Sequence, residues 1–113
     1  INNRCRQEHV TALTALVDNV LDPLRTWWGK PITVNSGYRC PELNAAVKGS
    51  KTSQHMVGEA ADIDTGDRQQ NKLLFEYIRK NLPYDQLIDE SNFAWVHVSY
   101  RADGNNRMQI LKL

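Results

Sequence analysis

The chain has 113 residues, enough for one domain with its own core and no obligatory metal or disulfide staple. An apolar fraction of 41% and a charged fraction of 24% are ordinary for a globular protein. A formal net charge of +1 excludes the strong field that would draw it to nucleic acid or an anionic membrane. No apolar run approaches the roughly 20 residues of a membrane span. No signal-peptide pattern lies within these residues, although an opening at Ile1 rather than Met is what removal of an upstream segment would leave.

In chain order, Cys5 comes first. With Cys40 it fits either one disulfide or two free thiols, and neither cysteine has the CxxC spacing of zinc ligands. Gln7 to Trp28 is predicted helical, because Val10, Leu13, Leu16, Val17, Val20, Leu21 and Leu24 recur at three- and four-residue steps. Pro23 should kink this run or start a second helix, and Gly29 should cap its end ahead of Pro31. "ITVNSGYR" alternates as a short strand and turns at Ser36-Gly37. "CPELNAAVKG" reads as a short helix with Pro41 in its first turn and Gly49 at its end.

"KTSQHMVGE" is expected to be loop, and "AADIDT" a strand with Ile63 facing the core and Asp62 and Asp64 on the other face. Asp67 suits the N-cap of a second long helix over 68–81, with Leu73, Leu74, Tyr77 and Ile78 inward and Pro83 as its stop. "YDQLID" and "AWVHVSY" read as strands joined by "ESNF". "RMQILKL" follows the turn signal "DGNN" as a last strand. Partly segregated helices and strands of this kind predict an α+β fold with a small, largely antiparallel sheet.

On "WVHVSY", the valines 96 and 98 belong to the core face, which puts His97 on the opposite face with Trp95 and Ser99. If that strand neighbours "ADID", Asp62 and His97 meet across the sheet, where paired Cβ atoms lie about 5 Å apart. Gly58 would let the preceding loop fold back and bring in His55. Two imidazoles and a carboxylate with a fourth position open are a catalytic zinc set. On the residues alone, a plainer reading stands beside this one: a solvated loop leading into a strand, and a hydrogen-bonded strand histidine.

The series Ser53-x-His55-x-x-Gly58-x-Ala60-x-Asp62 resembles the S-x-H-x-x-G-x-A-x-D motif of the M15 zinc peptidases, the group of D-alanyl-D-alanine carboxypeptidases, dipeptidases and phage endolysins. "WVHVSY" resembles that family's second metal segment. "LDPLR…GKPITVNSGYRCPELN" and "DQLIDE" resemble the small single-domain M15A-type branch. The resemblance runs from Leu21 to Tyr100. It implies a hedgehog/DD-peptidase-like fold, with helices packed on one side of the sheet, forming a single catalytic domain over residues 1–113.

It further implies one Zn2+ held by His55, Asp62 and His97. Arg39 would bind the substrate carbonyl or carboxylate and steady the oxyanion, Ser53 would contact substrate or support the ligands, and Gly58 would serve backbone geometry. The better-known members place an acid three residues before the last histidine, where this chain has Ala94; the small branch has one at the position of Glu90. Glu90 is therefore the expected general base, with Asp89 the other candidate. The implied function is zinc-dependent hydrolysis of peptidoglycan stem or cross-link peptides, by a monomer, with no nucleic-acid partner and no membrane span. It would act at the cell wall, in the periplasm or outside the cell, or as a phage lysin. The alternative is a catalytically inactive module of the same fold that keeps zinc for binding.

Around this set, Trp27 and Trp28 are expected to close the helix on the sheet, Trp95 to line the groove, and His9 to sit on the helix surface. Asp64 could support a ligand histidine, and Glu59 should face solvent. A Cys5–Cys40 bridge would tie the first helix to the "SGYR" loop.

Overall fold

Pro23 sets the shape of the N-terminal helical run. In the computed structural model, which describes residues 3–113, α1 spans Gln7–Leu16, a π-helical turn spans Val17–Leu21, and α2 spans Asp22–Trp28 with Pro23 in its first turn. Proline has no N–H to give to the preceding turn, and the chain widens there: the Asp22 N–H reaches back to the Val17 carbonyl. The run ends where expected, at Gly29 with φ 71° and its N–H on the Arg25 carbonyl. Leu16, Val20 and Leu24 are fully buried, but Val10 is exposed, because the apolar stripe meets the sheet only in its second half.

Five strands form the sheet: β1 (Thr33–Ser36), β2 (Ala60–Asp64), β3 (Gln86–Glu90), β4 (Trp95–Ser99) and β5 (Gln109–Lys112), in the order β1-β2-β4-β3-β5. All neighbours are antiparallel except β3 and β5, which run parallel. β4 is already paired on both edges, and the last strand adds at the free edge of β3. The loop carrying "DGNN" returns the chain to the start of β3 rather than making a tight hairpin. The fold is α+β, as the element pattern indicated.

The faces divide by alternation. Ala61, Ile63, Leu87, Val96 and Val98 pack against Leu16, Val20 and Leu24 and against α4 (Arg68–Asn81), whose Leu74, Phe75 and Ile78 are buried. Leu73 is exposed rather than inward; Phe75 takes that place. Trp28 packs on the core, while Trp27 stays half exposed and stacks on Tyr77 with ring centroids 3.9 Å apart. With the long helices on one face, the other is left for Asp62, His97, Ile88 and Glu90.

Two short elements lie between β1 and β2. Helix α3 spans Pro41–Ala46, and the left-handed residue at its end is Lys48, φ 59°, not Gly49. Gly49 is needed for space, since the Asn44 side chain lies where its Cβ would be. The segment expected to be plain loop contains a 3-10 turn, Gln54–Val57, capped by the Ser53 hydroxyl accepting from the His55 N–H at 3.2 Å and closed by Gly58 at φ 77°.

Candidate metal centre and active-site cleft

Asp62 and His97 are direct partners in the β2–β4 register, and the 3-10 turn hangs His55 over the same pair. The Asp62 Oδ1 lies 3.1 Å from His97 Nδ1 and 3.3 Å from His55 Nε2, and the two imidazole centroids are 5.0 Å apart. Both histidines are buried. Burial pulls the Asp62 carboxyl upward, but hydrogen bonds and charge from His55 and His97 outweigh it and hold Asp62 far below the usual carboxylate range.

The donor chemistry fits a cation. His55 Nδ1 lies 2.7 Å from the Gly37 carbonyl oxygen, which can only accept, so Nδ1 carries the proton. With Nδ1 so committed, it is the Nε2 proton, shared with the Asp62 carboxylate in the metal-free site, that a cation would displace to gain a lone pair beside a carboxylate oxygen. Ligands about 2.1 Å from a tetrahedral centre stand about 3.4 Å from one another, close to the two separations between Asp62 Oδ1 and the imidazoles. A zinc ion would be held by His55 Nε2, Asp62 Oδ1 and His97 Nδ1.

A cleft of about 650 Å³ opens over these three side chains. Arg39 lines it from the loop after β1, held by its N–H on the His55 carbonyl (2.8 Å) and by its guanidinium on the Ser53 hydroxyl (3.2 Å). Its Nε is buried without a partner among the described residues. Ser53 thus caps the turn and holds Arg39 at once.

Glu90 ends β3 on the face of Gln86 and Ile88, pairs with Trp95, and lines the cleft; Trp95 does so too. Burial first, then the charges of Asp62 and Asp89, raise its carboxyl above the ordinary 4.5 against the opposing pull of His97 and His55. Asp89 faces the other way. It is buried and accepts the Phe93 N–H at 2.6 Å, shaping the turn in which Ser91, Asn92 and Phe93 all have positive φ. Ala94 donates its N–H to the Glu90 carbonyl and closes the turn between β3 and β4.

The sequence model of Peptidase M15 matches residues 1–99, which hold all of the trio, Arg39 and Glu90. The chain belongs to the peptidase M15 family. It is also similar to the zinc D-Ala-D-Ala carboxypeptidase of Streptomyces albus G, 38% identical over 76 aligned positions that cover 58% of this chain. That alignment covers 30% of the relative, so this M15 chain corresponds to under a third of it.

Several residues around the M15 site differ from expectation. Asp64 does not support a histidine; it accepts from the Gly66 N–H and from Asn71 Nδ2. The outer partner of His55 is the Gly37 carbonyl, a backbone atom with no signature in sequence. His9 is not a bare surface residue, since it stacks on Tyr38 at 4.5 Å beside the Arg39 loop. Glu59 accepts from Gln54 Nε2 at 3.1 Å instead of facing only water. Cys5 and Cys40 are both free thiols, and Cys40 Sγ accepts from the Leu43 N–H at the start of α3. Asp85 and Arg107 were missed entirely. Asp85 is fully buried, and Arg107 is anchored to it at the cleft's edge. Among the described residues, no helix is long and apolar enough to cross a membrane.

Proposed function

We propose that this M15 chain is a zinc metallopeptidase that hydrolyses peptide bonds in peptidoglycan stem or cross-link peptides, as a D,D-carboxypeptidase or an endopeptidase acting at the cell wall. The observation that carries the reading is one cleft holding a His55–Asp62–His97 ligand trio together with Glu90 and Arg39. The substrate class rests on the similarity to a protein named for D-Ala-D-Ala cleavage.

Zinc in such a site polarises a carbonyl and lowers the pKa of a coordinated water to about 7. The remaining work falls to side chains. Glu90, lining the cleft beside the trio and partly withdrawn from water, would take the proton of the attacking water. The same carboxyl then hands that proton to the leaving amine. Arg39 has a permanent charge and unused donors, which suit the carboxylate or developing oxyanion of the substrate. Ser53 keeps the Arg39 guanidinium aimed into the cleft.

A second reading, a zinc-keeping binding module, draws on Ala94, which stands where better-known members carry an acid. Zinc quantification combined with digestion of purified peptidoglycan separates the two, using wild type, His97→Ala and Glu90→Gln. The peptidase reading expects zinc in wild type and Glu90→Gln, loss of zinc in His97→Ala, and new amino groups or free D-alanine from wild type alone. Zinc-loaded wild type that releases nothing from several wall chemotypes would leave the binding module standing.

A further inference from the structure

The cleft runs along β3. Gln86, Ile88 and Glu90 alternate onto it, spanning about 13 Å, and His97 pairs with Ile88 at the middle. Glu90 occupies one end. The other end is built by Gln86 and Arg107, the latter beyond the residues that the family model matches. Arg107 grips a carboxylate that is fully buried: Nε lies 3.0 Å from Asp85 Oδ1 and Nη2 2.8 Å from Oδ2. Asp85 is itself fixed by the Arg107 N–H at 2.9 Å and by Gln54 Nε2 at 2.9 Å. About half of the Arg107 side chain stays exposed. Gln54 has given its amide N–H groups to Glu59 and Asp85, which fixes its orientation and leaves Oε1 buried and without a partner among the described residues.

A planar cation clamped through one edge keeps its remaining N–H groups for a second anion. Asp85 already neutralises the charge formally, so the corner recognises an anion by directed donors and not by excess charge. Gln86 lies two residues along β3 from the level of the metal ligands, about 6.6 Å, the span of two residues of an extended peptide. We propose that Arg107, positioned by Asp85 and Gln54, is a specificity-determining residue that binds a free carboxylate about two residues from the scissile bond. Resting on the peptidase reading, this names the substrate class: stem peptides that carry a free carboxylate at that residue, in preference to those in which it is an amide.

The test uses the zinc-loaded protein and two synthetic stem peptides that differ only in carboxylate against carboxamide at that residue. Wild type should favour the acid by about tenfold or more in kcat/KM, carried by KM, as expected for a charged hydrogen bond. The acid-to-amide ratio should fall toward one in Arg107→Gln and be partly kept in Arg107→Lys. Equal use of the two peptides by wild type overturns the proposal, and so does a ratio unchanged in Arg107→Gln. If Arg107→Gln does not fold, the wild-type and Arg107→Lys ratios still decide. If neither peptide is cleaved, calorimetry separates the two readings. Tighter binding of the acid keeps the Arg107 assignment while the peptidase reading fails; binding of neither peptide removes both.

Discussion

His55 donates from Nδ1 to the carbonyl oxygen of Gly37 across 2.7 Å, tying the 3-10 turn to the loop after β1. Such an outer hydrogen bond fixes both the tautomer and the ring plane of a metal-binding histidine. Gly58 closes the same turn at φ 77°, and a Cβ there would lie 2.6 Å from the His9 carbonyl oxygen. Gly58→Ala should therefore cost about 1–3 kcal/mol and displace His55. Gly37→Ala should be near neutral, because that residue is not in the positive-φ region and nothing lies within 4 Å of its added Cβ. Zinc affinity by competition with a chromophoric chelator is the readout: a loss for Gly58→Ala and none for Gly37→Ala. The opposite order would break the link between this turn and the metal centre.

The Glu90 carboxyl supplies a second prediction. In metal-free protein, burial sets its titration above 4.5. A dication at the His55–Asp62–His97 trio favours the charged form and must pull that titration down. Carboxyl carbon NMR, with the resonance identified by its loss in Glu90→Gln, should show the midpoint fall when zinc is added and recover on chelation. A midpoint that ignores zinc would put Glu90 outside the metal's field and count against its role as base.

Asn71 holds the turn that follows Glu90. Buried on α4, it donates to Asp64 Oδ1 (2.9 Å), the Phe93 carbonyl (2.9 Å) and the Ala94 carbonyl (3.2 Å), and accepts from the Thr65 N–H and hydroxyl, both at 2.8 Å. Asn71→Ala strands several of these groups at once and should cost about 2–4 kcal/mol. Asn71→Asp should cost less if its carboxyl is protonated, and so recover with falling pH. Urea unfolding of both variants at neutral and mildly acid pH measures this. An Asn71→Ala variant as stable as wild type would show that the three left-handed residues hold the turn unaided.

Local rules explain what could be read in advance. Alternation in "ADID" and "WVHVSY" put Asp62 and His97 on the face away from the core, and the cap at Gly29 and N-cap at Asp67 stand where their chemistry requires. The same alternation in β3 turns Glu90 onto the cleft face and Asp89 onto the other. What stayed hidden depends on contacts distant in sequence. Leu73 and Phe75 are both apolar on an amphipathic helix, and only the angle at which α4 meets the sheet chooses between them. The parallel pairing of β5 depends on the 101–108 connection returning the chain to the start of β3, a property of the whole sheet. Asp85 and Arg107 are 22 residues apart, and neither sits in a periodic pattern that would bring them together.

Acid sensitivity should expose that pair. Hydrogen bonds and charge from Arg107 hold the Asp85 carboxyl below its ordinary 3.8, with Gln54 adding to the effect against burial. A carboxylate whose folded pKa is depressed adds stability that is fully present above its unfolded pKa and lost as pH falls through the folded one. The contribution is therefore intact at neutral pH and disappears below about pH 4. Asp85→Asn removes it at every pH and leaves the Arg107 clamp weaker. Its melting temperature should lie below that of wild type at pH 7, with the gap narrowing on acidification as wild type loses the same pair. Melting curves for both proteins across that range measure the gap. One that stayed constant down to pH 2 would mean that Asp85 keeps its charge throughout. One that widened would mean that the variant has gained an acid-labile defect elsewhere. Because Asp85 also receives the Gln109 N–H on its backbone carbonyl at 2.9 Å, the pair fastens β5 to the sheet. The variant should accordingly show faster amide exchange in Gln109–Lys112 than in β4.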